Sequence, residues 1–283
     1  MQKKHRFDLF RLSLRQREQV DMEDLIRPER SNREAWIRHL FSQRVEFRHH
    51  GTDFVYLPSE AQAGQKYVIG RIGREVSELE NASPELGYRE IMHDAWKAAV
   101  IVVDPGEHTD GQKVAIQFHP SVVKPSTIAP RLLQALDREN SPSPYIPSIH
   151  PITNKEAFWE FAARNKGKIT KITFDLEVPN MFGTDDEYTK EMREFREIEK
   201  AKSIKLEISN PDGIDVDTDR VRYTVEKASL GTGSVTAKAL GKNNKFSSNE
   251  QQISASISVE SDGEVKSIFD QAVDFANRML GRD

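Results

Sequence analysis

The chain has 283 residues, enough for one large domain or two ordinary ones, and it contains no cysteine that could form a disulfide. Its longest uninterrupted apolar run, residues 98–103, is far shorter than the ~20 residues that cross a bilayer, so the sequence predicts no membrane insertion. A formal net charge of -4 argues against a protein covered by nucleic acid over its whole surface, but it leaves room for local basic patches.

The N-terminal end is basic and is not followed by an apolar stretch of signal-peptide length, so we expect a cytoplasmic protein. In the first half, Phe10, Leu12 and Leu14 alternate with polar residues, which is typical of a strand. Ser31 and Glu34 have the spacing of a helix capping box. The patterns of this half predict a strand over residues 7–14, a helix after residue 31, a hairpin around residues 50–53, a strand over residues 67–74, a hairpin over residues 98–118 and a helix over residues 130–137 that begins on proline.

Residues 140–151 contain four prolines and three serines without hydrophobic periodicity. We interpret them as an extended connector between a mixed α/β domain at residues 1–139 and an α+β domain at residues 152–283. The alternative is a buried extended segment that crosses the first domain, anchored by Tyr145, Ile146 and Ile149.

Two alternating runs, residues 169–178 and 204–208, predict a pair of strands around which the second half is organised. Residues 217–230 fit a helix or a strand, and we favour a helix that ends at the glycines of residues 231–233. The other elements predicted here are helices beginning near Thr153, Thr184 and Ser261, strands over residues 234–240 and 253–259, and a polar loop between those two strands. The predicted fold class is α+β, with two lobes that each contain a small mixed or antiparallel sheet with helices mainly on one face.

No catalytic motif is complete. Asp110 and Lys113 are one residue too far apart for the acid-x-lysine pair of restriction-type nucleases, and there is no nucleophile elbow or phosphate-binding glycine loop. Asp104, Glu107, His108 and Asp110 include possible metal ligands, but their composition is also that of a solvated hairpin tip. The sequence therefore predicts no catalytic residue, no metal site and no cofactor.

Basic residues offer the remaining functional signal. Lysines beside asparagines and serines can follow a phosphate backbone without reading bases. Two arginines also flank a glycine that would leave the backbone open to close approach. The predicted nucleic-acid-binding residues are Arg71, Arg74, Arg164, Lys166, Lys168, Lys171, Lys238, Lys242 and Lys245.

The second half resembles the RexA family of phage-encoded exclusion proteins in the order of its elements. The resemblance rests on a strand that runs into residues 178–183, Val-Pro-Asn-Met-Phe-Gly, followed by a helix, a short strand, a hairpin and a long closing helix. It implies a bacterial or prophage anti-phage protein that binds DNA without strong sequence preference and acts as a homodimer. Action of the RexA type also involves a membrane partner, and the sequence departs from it by carrying no visible docking signal for one. The chain also departs from this implication in its net negative charge, which argues against broad DNA binding. The opening strand and residues 70–74 are also similar to an uncharacterised bacterial family, which implies no activity.

We therefore expect a cytoplasmic defence or exclusion protein that binds double-stranded DNA without catalysis, as sensor or effector. A homodimer and a partner protein from the same operon are expected with it. Two alternatives stay open. One is a metal-dependent nuclease whose carboxylates come from separated strands, and the other is a protein-interaction subunit of a defence complex.

Overall fold

The computed structural model describes residues 3–17, 32–59, 66–108, 110–177, 194, 198–259, 272 and 275–282. These residues form a strand-rich mixed α/β structure with a curled antiparallel sheet and a second, smaller sheet. The strands are β1 Lys3–Gln16, β2 Val45–His49, β3 Thr52–Pro58, β4 Val68–Asn81, β5 Glu90–Val103, β6 Gln112–Gln117, β7 Tyr145–Pro151, β8 Ile169–Glu177, β9 Ser203–Ser209, β10 Gly233–Ala239, β11 Lys245–Ser247 and β12 Ser254–Val259. The helices are α1 Arg33–Leu40, α2 Pro125–Glu139, α3 Lys155–Arg164, α4 Asp219–Lys227 and α5 Ala276–Leu280.

The large sheet has the strand order β12-β1-β6-β5-β4-β3-β2, with β7 also paired to β1. On one side β1 pairs with β6. On the other side its first half pairs with β12 and its second half with β7. The opening strand predicted from the alternation of apolar residues is therefore confirmed, and it lies inside the sheet.

The large sheet is covered on both faces. Phe10, Leu12 and Leu14 of β1 point to the face that packs against α1 and α2. Phe7 of β1 points to the opposite face, where α5 contributes Met279 and Leu280. This differs from the expectation of helices mainly on one face, because the end of the chain returns to cover the other side.

The second sheet has the order β11-β10-β8-β9. Its inner face packs against α3 and α4 through Ile172 and Phe174 of β8 and Val235 of β10. The two organising strands of the second half are confirmed as direct antiparallel neighbours, β8 and β9. The helix predicted to begin near Thr184 lies outside the described residues, except for positions 194 and 198.

Three predicted segments differ in detail from the observed elements. Residues 145–151 form the strand β7 beside β1, and of the three anchors of the alternative Ile149 is buried whereas Tyr145 and Ile146 are partly buried. Proline is tolerated there because β7 has a partner on one side only, so Pro147 and Pro151 leave no interior ladder bond unmade. Strands β10 and β12, predicted as successive strands, belong to different sheets. Helix α2 begins at Pro125, one turn or more before the predicted Pro130.

Two helix predictions can be checked at their caps. Asn32 and Asn154, each one residue after the predicted cap, accept the capping hydrogen bonds of α1 and α3. The ambiguous segment 217–230 is helical from residue 219, with Thr218 as its N-cap, and it is ended at Gly231, whose φ of 82° suits glycine. The helix preferred over the strand is thus confirmed. Of the closing helix predicted from Ser261, Ala272 and α5 are described.

Gly70 in β4 is required by packing. A Cβ at this position would lie 2.5 Å from the Oη of Tyr56, whose ring is fully buried. The Tyr56 hydroxyl donates to the carbonyl of Phe41 at 2.9 Å, and burial raises the pKa of this tyrosine. Glycine therefore makes room for a core ring here.

No helix in the described part of the chain is both long enough and apolar enough to cross a membrane.

Candidate functional site

Three lysines lie in one row across the second sheet. Lys238 of β10 is opposite Lys171 of β8 on one side and Lys245 of β11 on the other. Neighbouring strands are about 4.8 Å apart, so the row spans about 10 Å. The lysines point away from the core, because the adjacent Ile172 and Phe246 are buried on the opposite face. We call Lys171, Lys238 and Lys245 the lysine row.

The lysine row is electrostatically unfavourable in the isolated chain. Like charges directly opposite one another destabilise an antiparallel sheet. Lys171 is compensated by Glu207, whose Oε2 lies 2.8 Å from the lysine Nζ. Lys238 and Lys245 are exposed and form no ion pair with the residues that the structure describes. A bound anion would neutralise this charge.

Further basic side chains surround one end of the row. The loop after β10 is fastened to the turn after α3, because the Leu240 N–H donates to the Lys168 carbonyl at 2.8 Å and Asn244 Nδ2 donates to Asn165 Oδ1 at 2.5 Å. These bonds hold segments 164–171 and 238–245 side by side. We call the lysine row together with the exposed Arg164, Lys166, Lys168 and Lys242 the basic surface.

Hydroxyl side chains form the next row on the same outer face. Thr236 is opposite Ser247 and Thr173, and Thr173 is opposite Glu207. Hydroxyls and lysines are typical partners of phosphate oxygens. No aromatic side chain lies on the outer face of these four strands as described, so the face suits a phosphate backbone better than stacked bases.

The other two predicted residues lie elsewhere. Arg71 and Arg74 are on β4 of the large sheet, so the structure does not bring them onto the basic surface. Arg74 Nε donates to the Ser121 carbonyl at 2.7 Å. A Cβ on Gly73 would lie 3.0 Å from the Lys97 carbonyl oxygen, so the neighbouring strand β5 closes the backbone approach expected at this glycine.

A cleft of about 630 Å³ adjoins the far end of the same outer face. Its walls come from α2, β7, the end of β8 and the start of β10, and Asp175 and Ser234 belong to both the outer face and the cleft. Glu177 is six residues beyond Lys171 on β8, which is about 20 Å of strand. The basic surface and the cleft are therefore opposite ends of one polar face.

Glu177 joins the two sheets inside the cleft. Its carboxylate is 2.8 Å from His150 Nε2 and accepts a hydrogen bond of 2.6 Å from the Ser148 hydroxyl. Burial alone would raise the pKa of Glu177, but His150, Ser148 and the charge of Arg15 together lower it below its usual value. An ionised glutamate that orients an imidazole is one part of the machinery of general-base catalysis.

In the predicted hairpin tip, Glu107 and His108 are exposed, whereas Asp104 and Asp110 are held by ion pairs. Asp104 is 1% exposed, and its Oδ2 lies 2.6 Å from Arg282 Nε. Asp110 is paired with Arg282 at 2.5 Å and with Lys113 at 2.7 Å. Two of the residues considered as metal ligands, Asp104 and Asp110, therefore fasten the end of the chain to the large sheet.

Sequence reasoning found the residues of the lysine row but missed the cleft. Among the described residues, one group of three side chains could hold a metal ion: Glu78, Glu80 and His93. Their possible ligand atoms lie within 4.8 Å of one another. The group is on the β4–β5 hairpin, away from the cleft. His150 lies in the segment predicted as a connector, and Glu177 belongs to no complete local motif. The pairing of β7 with β1 places His150 near Glu177, and no local sequence pattern predicts that pairing.

Comparisons of this chain with protein-family models, with curated proteins and with solved structures give no match.

Proposed function

We propose that the protein binds duplex DNA through its phosphate backbone, with the basic surface as the contact region. The observation that supports this most strongly is the lysine row, in which three like charges occupy directly opposed positions on an exposed sheet face. Such an arrangement lowers the stability of the sheet, and a polyanion that lies across it would offset the repulsion.

The proposal predicts binding without base preference. The outer face offers lysines and hydroxyls, which contact phosphates, and lacks an element shaped to enter a groove. All seven residues of the basic surface fall within residues 152–283, so the predicted two-lobed division, which is part of this proposal, would assign DNA binding to the second lobe.

The test compares two double variants with the same charge change. Lys238→Glu/Lys245→Glu should weaken binding of an arbitrary duplex at moderate salt by at least about tenfold, because it removes two phosphate contacts and adds two repulsions. Lys124→Glu/Arg131→Glu, in and before α2, should bind nearly as the unchanged protein does. Fluorescence anisotropy with two unrelated duplexes measures both affinity and sequence independence. Equal affinities of the two variants would contradict the proposal.

The resemblance to phage exclusion proteins adds a cellular role to the proposal: a homodimer that acts in defence against phage without catalysis. A plaque assay in a bacterial host that expresses the chain measures this role. Protection should be lost with Lys238→Glu/Lys245→Glu and kept with Lys124→Glu/Arg131→Glu. Equal protection by both variants would separate defence from DNA binding.

A second candidate function, hydrolysis of the bound nucleic acid, is favoured by the His150–Glu177 pair in the cleft. The hydrogen bond from His150 Nε2 to Glu177 leaves the imidazole Nδ1 as the nitrogen that could accept a proton from water. Incubation with DNA and RNA in the presence of magnesium or manganese tests this function, with Glu177→Gln as the control. Cleavage that Glu177→Gln abolishes would support catalysis, and absence of cleavage by the unchanged protein would remove the candidate.

A further inference from the structure

A second cavity, of about 680 Å³, lies at the basic end of the second sheet. It is formed by the last turns of α3, the turn at residues 165–167, the loop at residues 212–217 and the start of α4. Its volume falls within the range of small-molecule sites, which is about 300–1,000 Å³. Lys166, a member of the basic surface, lies in its lining.

An indole ring and a guanidinium group form one wall of this cavity. Trp159 is partly buried on α3, and the Arg222 guanidinium lies over its ring at 5.6 Å from the centroid. Arg222 is also paired with Asp217. Tryptophan rings and arginine planes are the surfaces on which unpaired bases stack.

Carboxylates also line the cavity. Asp212 and Asp215 are exposed on the loop before α4. Carboxylate oxygens accept hydrogen bonds from the amino and ring N–H groups of bases. The same carboxylates repel phosphate, so a nucleotide would enter with its base first and leave its phosphate outside, near Lys166.

The loop has its shape before any ligand binds. Asn210 Nδ2 donates to the Gly213 carbonyl at 2.8 Å, the Asp212 N–H donates to Asn210 Oδ1 at 3.1 Å, and the Ile214 N–H donates to the Ile169 carbonyl at 2.7 Å. A preformed loop loses little conformational freedom on binding, which favours affinity.

We propose that this cavity, hereafter the Trp159 cavity, binds an unpaired nucleobase of a nucleic acid whose backbone lies on the basic surface. The inference rests on the proposed DNA binding. It adds that the preferred ligand is a duplex with an unpaired base, in which stacking on Trp159 supplements the phosphate contacts.

The first test measures the preference for unpaired bases. The unchanged protein should bind a duplex with a three-nucleotide bulge about tenfold more tightly than the perfect duplex of the same sequence, as expected for one stacked base. Trp159→Met and Asp215→Ala should each reduce this ratio toward one. Trp96→Phe, which changes an exposed indole on the β4–β5 hairpin, should keep the ratio. A ratio of one for the unchanged protein would overturn the inference.

The second test uses tryptophan fluorescence with guanosine monophosphate as the probe. Trp36 is fully buried and Trp96 lies on the β4–β5 hairpin, so quenching by a nucleotide in the cavity should come from Trp159. Quenching should persist in Trp96→Phe and disappear in Trp159→Phe. Quenching that persists in Trp159→Phe, or that is absent from the unchanged protein, would contradict a base in this cavity.

The two proposals can fail separately. If Lys238→Glu/Lys245→Glu keeps full affinity for the perfect duplex, the proposed function fails, whether or not guanosine monophosphate quenches the tryptophan fluorescence. If that variant loses affinity while guanosine monophosphate does not quench and the bulge gives no preference, DNA binding stands and the base-binding inference fails.

Discussion

At the scale of single residues, the lysine row combines a cost in stability with the proposed function in DNA binding. Lys238 faces Lys171 on one side and Lys245 on the other, and the acid Glu207 compensates only Lys171 among the described residues. Cross-strand pairs of this kind contribute roughly 0.2–1 kcal/mol in either direction. The central lysine is therefore the position at which stability and DNA binding should change in opposite directions.

Lys238→Glu should raise the free energy of unfolding by about 0.5 kcal/mol, because two repulsive pairs become attractive ones. The gain should shrink at high salt, which screens exposed charges. Urea unfolding at low and high salt measures both effects, with Lys124→Glu as the control. A variant that is less stable than the unchanged protein at low salt would contradict the cross-strand repulsion.

Residue identities were more predictable than residue partnerships. Composition and spacing singled out Lys171, Lys238 and Lys245 one by one, because lysines among small polar residues are visible in the sequence. The register that aligns them depends on which strands pair and at which offset, and a shift of one residue would turn the side chains to the other face. The same limitation grouped Arg71 and Arg74 with lysines that lie on another sheet.

At the scale of elements, Arg282 is the most heavily bonded side chain at the described end of the chain. Arg282, 8% exposed, bonds to Asp104 and Asp110 and donates to the Gly111 carbonyl at 2.7 Å. Lys113 Nζ adds a bond of 3.0 Å to the Leu280 carbonyl at the end of α5. These contacts connect α5 to the β5–β6 turn, so the apolar contacts of α5 with the large sheet depend on them.

Arg282→Met should lower the free energy of unfolding by about 3 kcal/mol. This value is at the low end of the loss expected when a buried ion pair is broken, because Asp110 is partly exposed. Arg278→Met, on the exposed side of α5, should cost less than about 1 kcal/mol. Chemical denaturation of the two variants side by side gives the comparison. Equal effects would show that the contacts of Arg282 do not hold α5 in place.

Acid should weaken the same contacts. Burial alone would raise the pKa of Asp110, but its bonds to Lys113 and Arg282 lower the pKa below the usual value. A carboxyl with a lowered pKa contributes stability that is present above its ordinary pKa of about 4 and is lost as the pH falls through the folded value. Glu177 has a shift of the same sign.

The free energy of unfolding should therefore decrease below about pH 4, and the decrease should be smaller in Asp110→Asn. Asp212→Asn, at an exposed loop position, should keep the profile of the unchanged protein. Denaturation across a pH series measures the slopes. A profile of Asp110→Asn that coincides with that of the unchanged protein would contradict the assignment.

Elements with local patterns were predicted, and elements defined by distant partners were not. The hairpins β2–β3 and β5–β6 have glycine- or proline-containing turns between β-rich runs, so their existence followed from the sequence. Strand β7 carries prolines that are typical of a connector, and its role depends on pairing with β1. The placement of β12 beside β1 joins the two ends of the chain, and local sequence contains no information on such a pairing.

At the scale of the whole molecule, the division of the chain at residues 140–151 stays a prediction. Segments from both sides of it share the large sheet, because β12 and β7 both pair with β1. The second sheet presents one continuous polar face, with the basic surface and the Trp159 cavity at one end and the His150–Glu177 cleft at the other. A nucleic acid along this face would contact charges from segments that are far apart in the sequence.

The salt dependence of duplex binding tests the central claim most directly. The logarithm of the affinity should fall linearly with the logarithm of the salt concentration, and Lys238→Gln/Lys245→Gln should reduce the magnitude of the slope by about two, one unit for each lost phosphate contact. A double variant with the same slope and affinity as the unchanged protein would show that the lysine row does not contact DNA.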